Sequence, residues 1–226
     1  MTEEDSTIQR TALSASSSVD ASARVPRREA ILSAALECFT DRGYAATSIE
    51  DIRRRAGASV GSVYHHFAGK EAIAAAVYVE GIRSYHAGAL AVLAGSDTAE
   101  AGVRGIVTYH LRWVVEHRSH AQFLLFHGEP EVSALAADSL RALNEGYRGG
   151  VQSWLERIAQ RHELRPLPYD VYASLVVGPA QEFARRWVAG VADIEIDSAA
   201  RLLADAAWRA TRADRDDNAV ADAPRQ

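Results

Sequence analysis

The stretch that decides the fold runs from Gly43 to Glu71: Gly43-Tyr44-Ala45-Ala46-Thr47-Ser48-Ile49-Glu50-Asp51-Ile52, then Arg53-Arg54-Arg55-Ala56-Gly57-Ala58-Ser59, then Val60-Gly61-Ser62-Val63-Tyr64-His65-His66-Phe67-Ala68-Gly69-Lys70-Glu71. Thr47 followed three residues on by Glu50 predicts a capping box, each side chain satisfying a free N–H at a helix start. Ile49, Ile52 and Ala56 then recur at helical spacing. Gly57 suits the turn that ends so short a helix, and Ser59 suits the cap of the next. Two short helices joined by a tight glycine turn form a helix-turn-helix. Upstream, Ile31, Ala35, Cys38 and Phe39 make one apolar stripe, closed by Asp41-Arg42-Gly43 with Gly43 in the left-handed terminal position.

On the second short helix, Val63 and Phe67 lie on one side and point to the core beside Ile49 and Ile52. The opposite side carries Gly61, Ser62, His65 and His66, small or hydrogen-bonding residues where a purely structural helix would carry longer, saltier ones. A helix entering a DNA major groove needs small residues for close approach, and donors or acceptors for base edges and phosphates. Val60 suits either the core or a thymine methyl.

Charge agrees with an anionic partner for this segment. The whole chain of 226 residues carries a formal net charge of −5, from 25 basic and 30 acidic side chains, which excludes a uniformly basic nucleic-acid coat. From Arg24 to Lys70, however, basic residues outnumber acidic ones. Lys70 is the only lysine in the chain. The composition, 48% hydrophobic and 24% charged, supports a full core. A single cysteine, Cys38, makes neither an internal disulfide nor a metal framework, and its place on the apolar stripe predicts an inert thiol. No apolar run approaches a membrane span, and the acidic Glu3-Glu4-Asp5 start is unlike a secretory signal, so a cytoplasmic location is expected.

Outward from the motif nearly every segment reads as helix, so the chain is expected to be all-α: a three-helix DNA-binding head followed by a larger helical body. The spacing predicts helices over 28–42, 48–56, 60–67, 70–94, 98–117, 121–127, 132–162, 169–189 and 198–211. Asp97 with Glu100 predicts the cap of one of them. Gly149-Gly150 predicts a bend in the longest segment, and Gly178-Pro179 a kink in the one after it. Residues 1–24 and 213–226, rich in small and polar residues, read as tails. That leaves 25–71 as the head and 72–212 as the body.

The motif region resembles the TetR-like transcriptional regulators almost throughout, over about 45 residues. The resemblance implies that Thr47 and Ser48 contact phosphate, aided by the partial positive charge of a helix N-terminus. It implies that Gly61, Ser62 and His65 face bases, with Ser59 and Val60 beside them. Tyr64 and His66 are implied as clamps on the DNA backbone and Lys70 as a phosphate contact. Two departures stand out. Val60 replaces a common lysine, and Arg53 a common small alanine.

For the body, the resemblance implies a ligand-binding and dimerising module whose binding residues do not carry over by motif. The residues themselves nominate large side chains with polar handles: His110, Trp113, Phe123, Phe126, His127, Trp154, Tyr172 and Phe183. Small and apolar residues on the last two helices (Ala180, Ala184, Leu202, Leu203, Ala206, Ala207) suit close packing against a symmetry mate. A homodimer and a palindromic double-stranded DNA operator follow. The function expected is a ligand-responsive, sequence-specific regulator, most simply a repressor released by a small molecule. The alternatives are a protein-binding adaptor or an all-α enzyme with a vestigial head. His110, His117, His120 and His127 cluster in sequence, but no cysteine or well-spaced carboxylate joins them. No metal or cofactor is expected.

Overall fold

The computed structural model describes residues 26–126 and 130–213; His127 and both tails lie outside it. Among the described residues there are helices and no strand. They are α1 (Arg27–Arg42), α2 (Ile49–Arg55), α3 (Val60–His66), α4 (Lys70–Ala94), α5 (Ala99–Glu116), α6 (Arg118–Phe126), α7 (Pro130–Ala159), α8 (Tyr169–Val176), α9 (Gly178–Val188) and α10 (Ile196–Thr211).

Local chemistry explains the boundaries. Gly43 closes α1 at φ 84°, in the region open to glycine, and Gly57 turns the chain between α2 and α3 at φ 58°. The capping box at α2 forms one residue later than the Thr47–Glu50 spacing suggests. Ser48 is the N-cap: its hydroxyl accepts from the Asp51 N–H at 3.2 Å, and the Asp51 carboxylate accepts from the Ser48 N–H at 3.0 Å. Thr98, not Asp97, caps α5, its hydroxyl accepting from the Ala101 N–H. Ser59 caps α3, accepting from the Ser62 N–H at 3.1 Å.

The Gly149-Gly150 pair does not break the helix: α7 runs on through it for 30 residues. Gly150 serves packing instead, because a methyl group there would meet Leu90 of α4 at 2.5 Å. Gly102 likewise admits the Trp154 indole against the backbone of α5. At Gly178-Pro179 the chain does break, separating α8 from α9. Proline removes an N–H that the continuing helix would need.

Two buried clusters result. The head core joins Ile31, Phe39, Ile52, Val63 and Phe67 to Ile73 and Val77 at the start of α4. It also takes in Phe123 of α6 and Val132 and Ala136 of α7. The body core gathers Ala89 and Leu93 at the far end of α4 with α5, α7, α9 and α10. The 25-residue α4, about 37 Å at 1.5 Å per residue, thus has one end in each core.

Candidate DNA-binding face and effector cavities

Val63 and Phe67 seat α3 on the head core, at 0% and 6% exposure, which turns the other side of the helix to solvent. Val60 and Tyr64 are more than half exposed, and Gly61, His65 and His66 are exposed around them. The His65 and His66 rings meet edge to face at 5.0 Å. This surface is not used by the fold, and it is small at Gly61, apolar at Val60, and able to donate and accept at Ser62 and His65.

The turn beneath it is pinned from several directions. Arg27 donates to the Ala56 and Gly57 carbonyls. Arg53 makes a two-pronged ion pair with Glu50 (2.8 and 2.5 Å) and donates to the Ala58 carbonyl at 3.1 Å. That bond with Arg53 holds the Glu50 carboxyl below the usual range. Arg53 is therefore committed to fixing the α2–α3 angle, and this accounts for its departure from alanine.

At the start of α2 the two residues expected to meet phosphate part company. Ser48 is exposed, with its backbone N–H and hydroxyl directed to Asp51. Those bonds depress the Asp51 carboxyl. Thr47 is 2% exposed, its hydroxyl set against the Cys38 and Gly43 carbonyls at 3.1 and 2.8 Å. The Thr47 side chain therefore ties α1 to α2 from inside. The Lys70 ammonium donates to the Tyr44 carbonyl at 3.0 Å and lies 4.4 Å over the Tyr44 ring, so it sits against the loop leading into α2. Cys38 is buried, and burial pushes its thiol pKa up.

In the body, the nominated aromatic residues separate. Trp154 and Tyr172 line an apolar cavity among α4, α5, α7 and α8, shared with Gly102, Ile106 and Tyr147. His110 and Trp113 line a second cavity of about 140 Å³ among α4, α5, α6 and α9, with Tyr85, Ile82 and Leu124. Burial lowers the His110 pKa to about 4, so the ring is neutral near pH 7. Its Nδ1 is 3.0 Å from the Tyr85 hydroxyl.

Phe123 lines neither cavity. It is 1% exposed and stacks on Phe39 of α1, centroids 5.4 Å apart and planes within 16°. Phe126 is 43% exposed, and Phe183 packs on the body core outside both linings. His127 falls outside the described residues. Among the cavity residues that sequence reasoning missed are three on α4, Tyr78, Ile82 and Tyr85, which recur at helical spacing. That stripe was the available signal. Among the described residues no group of three or more His, Cys, Asp or Glu side chains is placed to hold a metal ion. No helix there is long and apolar enough to cross a membrane.

A head whose recognition helix is free on one side, mounted on a long helix shared with a separate helical core, defines the class. It is a helix-turn-helix DNA-binding protein with an attached helical body. Residues 31–77 match the family model of bacterial regulatory proteins, tetR family. Over 82% of its length the chain is 27% identical to the transcriptional activator FasR of Mycolicibacterium smegmatis, covering 83% of that protein. It is 25% identical to the transcriptional repressor KstR2 of Rhodococcus jostii, over 85% of this chain and 82% of that one. The fold matches that of the regulator FadR from Bacillus subtilis, crystallised with stearoyl-CoA, at a TM-score of 0.67 and 18% identity, covering 80% of this chain and 97% of that one. The chain is a TetR-like, DNA-binding transcriptional regulator.

Proposed function

We propose that the chain is a repressor that holds a palindromic operator as a two-fold homodimer and releases it when a small molecule enters the body. Residues 25–71 would read DNA, and 72–212 would bind effector and partner. The observation that carries this is a continuous packed path. The exposed face of α3 stands on the head core, and the head core includes Phe123 of α6, whose neighbours Ala121 and Leu124 line a body cavity. The FadR fold accommodates stearoyl-CoA, which supports a body able to hold an effector.

On DNA, Gly61, Ser62 and His65 would meet base edges and Val60 a thymine methyl. Ser48, Tyr64, His66 and Lys70 would meet the backbone, with Ser59 beside the base-facing residues. Two recognition helices would sit about 34–36 Å apart, one helical turn of DNA. An effector can shift the equilibrium only by binding the DNA-incompetent state more tightly. Regulation rather than catalysis is supported by the relatives being named as transcriptional regulators. The protein would act in the cytoplasm, where its DNA is.

Selection of binding sites from random duplex DNA by the purified chain, at about 0.15 M salt, tests this. Enrichment of a palindrome is expected. Folded protein that enriches nothing, before and after unfolding and refolding to strip any carried effector, would favour the adaptor alternative.

A further inference from the structure

Two body cavities compete for the effector, and they differ in chemistry and in what they touch. No residue lining the Trp154 cavity belongs to the head core. The His110 cavity is bounded by Tyr78, which packs on the head core, and by Ala121 and Leu124, which flank Phe123 on α6. An occupant there can bear on the element that stacks against α1.

The polar groups of this cavity are His110, the Trp113 indole, the Tyr78 and Tyr85 phenols and the Gln181 amide, all uncharged near pH 7. Its lining contains no Asp, Glu, Lys or Arg. His110 is more than nine-tenths buried, and its Nε2 has no hydrogen-bond partner. The tautomer follows from Tyr85. Burial keeps that phenol protonated, and the hydrogen-bond partner found for its hydroxyl is His110 Nδ1. With the phenol donating, Nδ1 accepts and the imidazole proton sits on Nε2. A buried N–H left without an acceptor costs about 1–3 kcal/mol. A bound acceptor recovers that cost.

We infer that this cavity is the effector site, and that it takes a neutral, mainly apolar molecule carrying one hydrogen-bond acceptor, such as a carbonyl oxygen, held by His110 Nε2–H. The inference rests on the ligand-responsive reading above. A carboxylate would lose its hydration with no cation in the lining to replace it. A quaternary ammonium could lie against Tyr85 and Trp113, but it would leave the Nε2–H unmet and face its positive end. An apolar chain with a ketone, ester or amide oxygen satisfies both parts of the lining.

The test uses the full chain, labelled with ¹⁵N at histidine, and three probes of one chain length: 2-nonanone, nonanoate and nonyltrimethylammonium. The ketone is expected to bind, to shift the His110 Nε2 resonance, and to bind at least tenfold more tightly than either ion. Combining Tyr85→Phe with His110→Phe, so that no phenol is orphaned, should weaken ketone binding tenfold or more. Should that double variant not fold, Leu124→Trp fills the cavity from the opposite wall and should block the ketone. Equal or tighter binding of either ion would overturn the assignment, as would ketone binding with an unmoved His110 resonance or no binding at all. Operator affinity measured in the same titrations separates the two ideas. A ketone that shifts His110 but leaves operator affinity unchanged supports the anchor and counts against ligand-driven release. Release by nonanoate with His110 unmoved preserves ligand-driven release and overturns the assignment.

Discussion

At the scale of single residues, His65 and His110 show how burial divides roles between chemically identical side chains. His65 is exposed on α3 beside Gly61 and Ser62, on the face proposed to meet base edges. His65→Ala should weaken specific operator binding by about 1–3 kcal/mol, roughly fivefold to 150-fold, while affinity for unrelated DNA changes little. Gel-shift titrations on the selected operator and a scrambled duplex check this. His110 takes its proton only near pH 4 in the fold, against an ordinary 6.5. The unfolded chain therefore binds the proton first, and stability that is complete above pH 6.5 falls as pH drops toward 4. Between pH 7 and 5 this one ring should cost about 2 kcal/mol. Thermal unfolding at both pH values, in the native chain and in the Tyr85→Phe, His110→Phe double variant, should show a smaller acid loss in the variant. An equal loss would place the sensitivity elsewhere.

At the scale of elements, α6 is a short helix that, like α4 and α7, takes part in both cores. One side of it lines the His110 cavity, and Phe123 stacks on Phe39. Replacing Phe123 by Ala would open a cavity costing about 3–5 kcal/mol and risk the fold. Phe123→Leu keeps most of the volume at a cost near 1.5 kcal/mol. It should leave operator binding within a few-fold of native while reducing the effector-induced loss of affinity. Fluorescence anisotropy of labelled operator, with and without effector, measures both. Undiminished release would show that coupling bypasses the stack. Element boundaries were largely legible in sequence where a local rule acts alone, as at Gly43, Gly57, Ser59 and Gly178-Pro179. They were misread where two rules compete. Thr47 and Ser48 both suit a cap, and the choice went to Ser48 because the Thr47 hydroxyl is held by the carbonyls of α1 and of the turn after it. The Gly149-Gly150 pair suits a bend, but Gly150 serves the close approach of α7 to α4.

At the scale of the molecule, the outer side of the last helices carries apolar residues that the single chain leaves uncovered. Leu202 on α10 is 59% exposed and Val171 on α8 41%. In a two-fold dimer these would meet their symmetry equivalents, and avidity of two heads for two half-sites would set operator affinity. Leu202→Asp places like charges across such an axis. It should convert the dimer to monomer by sedimentation and lower operator affinity at least tenfold, with the melting of the monomer little changed. A variant that stays dimeric would put the interface elsewhere. Neighbours along the chain were enough for the all-helical class, the helix-turn-helix, the face of α3 turned outward, and hence the resemblance to TetR-like regulators. Capping, glycine turns and helical periodicity act within a few residues and are readable there. Which aromatic residues face a cavity depends on packing between helices. His110 and Trp113 join Tyr85 of α4, Trp154 and Tyr172 face a different space, and Phe123 belongs to the head. Core and cavity residues share one periodicity and one composition. What distinguishes them is the helix opposite, and packing between helices distant in sequence leaves no local trace.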